Sequence, residues 1–275
     1  LNLGKPYLDE QHLKPNYNSS NTMYNHNDPY ANRDPRFYAT VYYNGSKRYC
    51  NWSTEAGNTS FENLGQGKGS MTRTITTWDA YEDENGNIIN KPEPLMGRAL
   101  TGRTVTRTGY FQRKFLHPNS GVEMNIQGAR HKDYRLAEIY LNFAEAAMEA
   151  GHEPEAIVYV NKVRARVGMP GLKGISGDAL RQRIHNERRV ELALEGNRYF
   201  DVRRWHKPDE DLSDTDRWIT GAHITHMNNG TYKYERTILK ERQCYTNKWL
   251  KMPVPLSEVN NMRAITGEDW QNPGW

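Results

Sequence analysis

DYRLAEIYLNFAEAAMEAG (133–151), PEAIVYVNKVRARVGMP (154–170) and LRQRIHNERRVELALEGNRYFDVRRW (180–205) follow one another with only short breaks. In the first, Leu136, Ile139, Tyr140, Phe143, Ala144, Ala147 and Met148 recur at three- and four-residue steps, which predicts a helix with one apolar face. Gly151 stands where a helix C-terminal glycine belongs, and Pro154 suits the first turn of the next helix. That second helix points Ile157, Val160, Val163 and Val167 inward, and GMPG stops it. Ala144 and Ala147 permit close approach, so the two segments predict an antiparallel helical hairpin of tetratricopeptide type. In the third, Ile184, Val190, Leu192, Ala193 and Leu194 mark the buried side. Gly196 interrupts it, and Tyr199, Phe200, Val202 and Trp205 restart a short helix.

Around this block the pattern changes. Residues 1–130 are dense in turn signals: NDP at 27–29, RDP at 33–35, NG at 44–45, GQGKG at 65–69, ENGN at 84–87 and KPEP at 91–94. RFYATVYY (36–43) and TRTITTW (72–78) read as short strands, NG after YY reads as a hairpin turn, and no regular helix is expected before about residue 130. After Pro208 the chain reads as irregular again. The expected organisation is therefore a loop-rich region with short strands over 1–130, a helical scaffold over 131–205, and an irregular region over 206–275 that packs on the scaffold.

Composition narrows the function classes. The 275 residues carry 37 Lys+Arg against 33 Asp+Glu, a mixed balance with no basic run or zinc-finger spacing, which argues against nucleic acid. No apolar stretch approaches membrane-spanning length. Hydrophobic content is 36%, and Tyr and Trp supply much of it, so aromatic side chains with polar handles must serve both core and surface. Cys50 and Cys244 are far apart in sequence, and their spacing decides nothing about a bond.

Several constellations invite a chemical reading. Glu187, Glu191 and Glu195 stand four apart on one helical face, as an acid and a base would, but Arg188, Arg189, Arg198, Arg203 and Arg204 are interleaved with them. Alternating charge beside a buried face predicts a structural ion-pair network, with Glu187, Arg188, Glu191, Glu195 and Arg198 as its members and no catalytic residue. His131, His152, His185, His223 and His226 lack an HExxH arrangement, and no metal site or cofactor is expected. GQGKGS (65–70) lacks the spacing of a phosphate loop. What is left is aromatic and amide chemistry. Tyr38, Tyr42, Tyr43, Tyr49, Trp52, Trp78 and Tyr81 lie beside Asn44, Asn51, Arg73 and Asp79. A flat ring covers the C–H face of a sugar while amides, carboxylates and guanidinium groups bond its hydroxyl edge. The candidate ligand-binding residues are Trp78 and Tyr81, with Asp79 between them in WDAY, followed by Arg73, Tyr42 and Trp52.

DYRLAEIYLNFAEA (133–146), YVNKVRARVGMP (159–170), IHNERRVELALEGNRYFDVRRW (184–205), WLKMPVPLSEVNNM (249–262) and the closing QNPGW (271–275) together resemble the carboxy-terminal half of the SusD/RagB family of Bacteroidetes. DPRFYATVYYNG (34–45) resembles the stretch that opens this half. The resemblance implies a mainly α fold of tetratricopeptide-like hairpins with a large loop-rich excursion and short strands. It implies a glycan ligand, no enzymatic activity, and delivery to a SusC-like TonB-dependent transporter. The place implied is the extracellular face of the outer membrane, with lipid anchoring through a part absent from this chain. Family members have an amino-terminal half carrying most of the repeats, so the chain reads as a carboxy-terminal fragment whose helices need that half. The rival readings are a protein-interaction scaffold of the transporter complex with little sugar affinity, and a glycoside hydrolase using paired carboxylates.

Overall fold

The computed structural model describes residues 25, 27–51, 70–90, 106–116, 133–206, 217–242 and 246–275. The front part contains helix α1 (Pro35–Thr40) and strands β1 (Val41–Tyr42), β2 (Lys47–Asn51), β3 (Ser70–Thr74), β4 (Ala80–Glu82), β5 (Ile88–Asn90) and β6 (Phe111–Gln112). The helical block follows as α2 (Leu136–Glu149), α3 (Glu153–Arg166), α4 (Gly177–Glu191) and α5 (Asn197–Arg204). Strands β7 (Trp218–His226) and β8 (Tyr232–Glu241), a 3-10 turn at Asn247–Leu250 and helix α6 (Leu256–Thr266) complete the order.

The helical hairpin forms where its periodicity predicts. Leu141, Ala144, Ala147 and Met148 of α2, Ala156, Val160 and Val163 of α3, and Leu180 and Ile184 of α4 share one core with Leu192. Gly151 takes the left-handed conformation (φ 80°) just past α2, and Gly196 (φ 84°) separates α4 from α5. Two details differ from the sequence reading. Leu136, Ile139 and Phe143 of α2 face outward, while Leu141 is fully enclosed, because only part of the helix's broad apolar arc meets α3 and α4. On α4 the enclosed residues include Glu187, Arg188 and Glu191, whereas Leu194 is half exposed.

Those enclosed charges lock α4 to the rest of the fold. Glu187 accepts hydrogen bonds from Arg36 of α1 (2.5 Å) and Arg164 of α3 (2.7 Å). Glu191 accepts from Arg36 (2.9 Å), from Arg135 just before α2 (2.5 Å) and from Arg166 of α3 (2.8 Å). Glu195 is held by Arg135 (2.7 Å) and by Lys114, whose ammonium also donates to the backbone carbonyls of Glu191 and Ala193. Arg188 turns the other way, to Asp201 of α5 (3.1 Å) and Asn142 of α2 (2.5 Å). Glu145 of α2 takes Arg204 and the Trp205 indole.

The same arginine explains why 36–43 is a strand only at Val41–Tyr42, after a short helix. Asp34 caps α1 through the Arg36 backbone N–H (2.9 Å), Pro35 opens it, and the Arg36 side chain is fixed by Asp34, Glu187 and Glu191. The NG turn does form, with Gly45 at φ 84° and a Ser46 N–H to Tyr43 carbonyl bond, but it is not a hairpin. Its flanking strands belong to different sheets: β1 pairs with β6, and β2 pairs with β3.

The larger correction lies after Pro208. Residues read as irregular build the longest strands described, β7 and β8, an antiparallel pair closed by a turn in which Gly230 has φ 79°. β7 also pairs in parallel with β4, and β4 with β5, giving a four-stranded sheet in the order β5-β4-β7-β8. The backbone of residues 107–109 crosses β7 closely. A Cβ at Gly221 would meet the Thr108 Cα at 2.9 Å, so only glycine fits there.

Two stability predictions follow from burial and charge. Leu141→Ala costs about 2–5 kcal/mol, as for an enclosed leucine, whereas Leu136→Ala on the outer face changes stability by less than about 1 kcal/mol; urea unfolding reads both. Burial pushes the Glu191 and Glu195 carboxyls up, but hydrogen bonds from Arg135, with Arg36 or Lys114, outweigh it and hold both below the usual range. Such depressed groups stabilise the fold fully above the ordinary carboxylate pKa, and the contribution is lost as pH falls through their folded values. His185, stacked on Trp205 at 3.6 Å, is pushed by burial from 6.5 down to about 4, so it adds a loss of stability that begins as pH drops below 6.5. His185→Phe flattens the stability profile between about pH 6.5 and 4 and leaves the steeper carboxylate limb below it; a pH series of unfolding curves checks both limbs.

Candidate functional site

The four-stranded sheet assembles an aromatic row. Tyr81 of β4 is in register with His226 of β7, and His226 with Tyr232 of β8. Direct partners on neighbouring strands place their side chains on the same face, so the three rings lie side by side. Trp78, two residues ahead of β4, stacks on His226 with ring centroids 5.3 Å apart and planes 27° from parallel. Tyr232 approaches the other side of His226 at 5.1 Å. Along β8, Tyr232 leads to Tyr234 (6.3 Å), which meets Tyr30 edge-on (5.2 Å). Trp78, Tyr81, His226 and Tyr232 are all half-buried, with part of each open to solvent.

A second aromatic cluster backs this row. Tyr30, Phe37, Tyr43 and Tyr110 pack around one another at 4.4–6.3 Å. Tyr30 is buried and serves as the core of the front part, where aliphatic residues are few.

Asp79 holds the row in place. One carboxylate oxygen accepts the Ile224 N–H (2.8 Å), the other meets His223 Nδ1 (2.9 Å), and the Asp79 N–H donates to the Ile224 carbonyl (3.0 Å). This clamp ties the segment that carries Trp78 to the middle of β7. Asp79 thus positions Trp78, while its side chain keeps 35% exposure. Asn44 has a similar part: it is buried and accepts the Thr77 N–H (3.0 Å).

The other sequence candidates separate. Tyr42 is only 9% exposed and lies under the Arg113 guanidinium, so it belongs to the packing and offers no open ring face. Arg73 lies in β3, paired with Arg48 in a two-stranded sheet separate from that of the aromatic row. Trp52, the GQGKG segment at 65–69, His131 and Cys244 lie outside the described residues. His223 and His226, three apart on a strand, fall on opposite faces. One is clamped by Asp79 and the other is stacked between aromatics, so they do not converge on a common point. Among the described residues no group of three or more His, Cys, Asp or Glu is placed to hold a metal ion.

Polar groups rim one end of the row. His226 and Tyr232 are the last pair before the turn, and Asn228 and Asn229 are exposed in it. The Asn228 N–H donates to Glu82 (3.1 Å) and its amide reaches the Asp83 carbonyl, which sets this turn beside the β4–β5 turn with exposed Asn85 and Asn87. Aromatic faces with amides at one end are the chemistry of sugar stacking with hydroxyl bonding. His226 and Tyr232 escaped the sequence reading. The signal for them was HITHMNNGTYKY (223–234), where an Asn-Asn-Gly turn joins a stretch ending in His226 to one with rings at alternate positions, Tyr232 and Tyr234.

By contrast, Glu187 and Glu191, the carboxylates that suggested acid–base chemistry, are 2% and 3% exposed and bonded to arginines on every side described above. A hydrolase needs such groups open to substrate.

A fold of helical hairpins joined to a small aromatic-faced sheet places the chain in a defined class. The SusD family profile matches residues 7–275, and the chain belongs to that family. It is 28% identical over 146 residues to SusD-like protein P25 of Formosa agariphila, covering 52% of this chain and 24% of that protein. It is 35% identical over 104 residues to SusD-like protein P2 of the same organism, covering 34% of this chain and 20% of the relative. Among solved structures, a SusD-like protein from Bacteroides fragilis superposes with a TM-score of 0.64 at 25% identity, over 97% of this chain and 45% of the other. A SusD-like carbohydrate-binding protein from the same species shares the fold, with a TM-score of 0.51 at 21% identity over 93% of this chain and 45% of its own. The chain thus spans less than half the length of these relatives.

Because Asp79 anchors Trp78 to β7, Asp79→Ala is expected to loosen the tryptophan without unfolding the helices. The expected result is a red-shifted tryptophan emission with an unchanged far-ultraviolet helical signal.

Proposed function

We propose that this chain carries the sugar-holding surface of a non-catalytic capture protein, which binds oligosaccharides outside the cell and passes them to a TonB-dependent outer-membrane transporter. The observation that carries the reading is a row of four partly open rings with an amide rim: Tyr81, His226 and Tyr232 in register on one sheet, and Trp78 stacked on His226. Family membership supports it, as does the relative from Bacteroides fragilis described as carbohydrate-binding. No helix among the described residues is long and apolar enough to cross a membrane. The same proposal places the protein at the outer membrane, which family membership supports.

The absence of catalysis belongs to the same proposal. Glu187, Glu191 and Glu195 are occupied in holding α4, and Glu82 and Asp83 beside the row accept backbone hydrogen bonds that hold the two turns. Mixed surface charge gives no preference for acidic sugars, so the ligand class is a neutral oligosaccharide offering apolar ring faces.

Calorimetric titration against a panel of neutral oligosaccharides tests this, with product analysis on the same samples. The expected result is saturable binding with no cleavage. Trp78→Ala and Tyr232→Ala should each weaken the interaction by about tenfold or more, as loss of an aromatic anchor does. Binding that both substitutions leave intact would move the site elsewhere. Release of shortened sugars would replace capture with hydrolysis. The scaffold reading would gain if no member of the panel bound even with the amino-terminal half present.

A further inference from the structure

Asparagine is followed by glycine three times in the chain, at Asn44–Gly45, Asn85–Gly86 and Asn229–Gly230. The pair is chemically reactive. Glycine has no side chain to shield its amide nitrogen, so that nitrogen can reach the side-chain carbonyl carbon of the asparagine before it. All three glycines are left-handed, with φ of 84°, 81° and 79°. All three N–H groups are also bonded: Gly45 to the Ile75 carbonyl (2.8 Å), Gly86 to the Asp83 carbonyl (3.0 Å) and Gly230 to the Met227 carbonyl (2.9 Å). The backbone therefore does not distinguish the three pairs.

The side chains do. Asn44 is 4% exposed, and its Oδ1 accepts the Thr77 N–H (3.0 Å). Asn229 is exposed, but its Oδ1 accepts both the Thr231 N–H (3.0 Å) and the Thr231 hydroxyl (2.6 Å). Asn85 is exposed as well, and the hydrogen bonds described in its turn pass it by. They run from the Asn85 N–H, the Asn87 N–H and the Asn87 amide to the Asp83 carboxylate, and leave the Asn85 amide to solvent. The space beside Gly86 is open too: a Cβ there would meet nothing nearer than a Glu82 carboxylate oxygen at 4.0 Å.

We propose that Asn85 is a site of spontaneous deamidation, converted ahead of Asn44 and Asn229. The Gly86 nitrogen bonds to the Asn85 side-chain carbonyl carbon, its proton passes through solvent to the leaving nitrogen, and ammonia departs. Water then opens the resulting five-membered imide at one of its two carbonyls. One product is an aspartyl residue at position 85. The other is isoaspartyl, in which the main chain runs through the former side chain and gains one carbon. Either adds a negative charge next to Asp83 and Glu84. The isoaspartyl form also reaches the aromatic row. β4 and β5 pair over only three residues each, so a longer main chain in their turn displaces Glu82 and Asp83. Those two residues hold the Asn228 N–H and amide, and with them the turn that follows His226. The effect on sugar binding rests on the aromatic row being the sugar site; the deamidation does not.

The test is ageing of the folded chain in warm, mildly alkaline buffer, followed by digestion and peptide mass spectrometry, with aspartyl and isoaspartyl peptides separated by chromatography. Position 85 is expected to convert about tenfold or more faster than position 229, because two hydrogen bonds must break before Asn229 can close the ring. Position 44 is expected to be slower still. In urea the three rates should converge, and Thr231→Val should bring position 229 closer to position 85 in the folded chain. Equal rates at 85 and 229 in the folded chain, or a preference for 85 that persists unchanged in urea, would overturn the assignment. Calorimetry on the separated fractions reads the coupling to the row. The isoaspartyl fraction should bind oligosaccharide severalfold more weakly than fresh chain, and an unchanged affinity would overturn that coupling. Fresh chain that binds no oligosaccharide would remove the sugar reading, while the three conversion rates would still decide the deamidation.

Discussion

The row of acids at the end of α4 and just beyond it is the constraint on which the other elements depend. Glu187, Glu191 and Glu195 draw Arg36 from α1, Lys114 from the segment after β6, Arg135 from the entry to α2, and Arg164 and Arg166 from the end of α3. Four stretches separated by up to 155 residues in sequence converge on one helix face. Enclosed ions are costly to desolvate, and a lattice of this kind offsets that cost only when every carboxylate is bonded. Its physical consequence is specificity of arrangement. An apolar face tolerates sliding, whereas shared arginines fix the angle at which the front part meets the helical block.

From that fixed junction the aromatic surface follows by register. Arg36 anchors α1, and the aromatic cluster of Tyr30, Phe37, Tyr43 and Tyr110 is built on the same segment. Tyr30 connects this cluster to Tyr234 on β8, and β8 sets Tyr232 beside His226. Asp79 then brings Trp78 onto the same histidine. Each step is a directional contact, so the row is held on strands and not on free loops, which favours a platform already shaped before ligand arrives.

The helical block was legible because its signal is local. Alanines and valines at three- and four-residue steps, Gly151, Pro154 and Gly196 define helices without reference to anything distant. The acid row was also legible as structural, but the sequence pointed to the interleaved arginines as its partners. The partners observed for the three glutamates come instead from four other stretches, because residues beside each other on a helix face different ways. Arg36–Thr40 misled for a related reason: its aromatic residues favour a strand, and a distant pair of carboxylates overrides them. Half of the candidate site was legible. Trp78 and Tyr81 stand in a polar segment of unusual aromatic content, whereas His226 and Tyr232 gain meaning only from the parallel pairing of β4 with β7 across 145 residues. Asp79 was identified by position, but its bond to the Ile224 N–H is invisible without that pairing.

The central claim is that the row on β4, β7 and β8 is where sugar is held. A crystal structure with the tightest-binding oligosaccharide of a panel tests it most directly. The account predicts a pyranose ring lying flat against Trp78, Tyr81 or Tyr232, with hydroxyls turned to the asparagines of the adjoining turns. A sugar seated on any other surface, with these rings untouched, would contradict it.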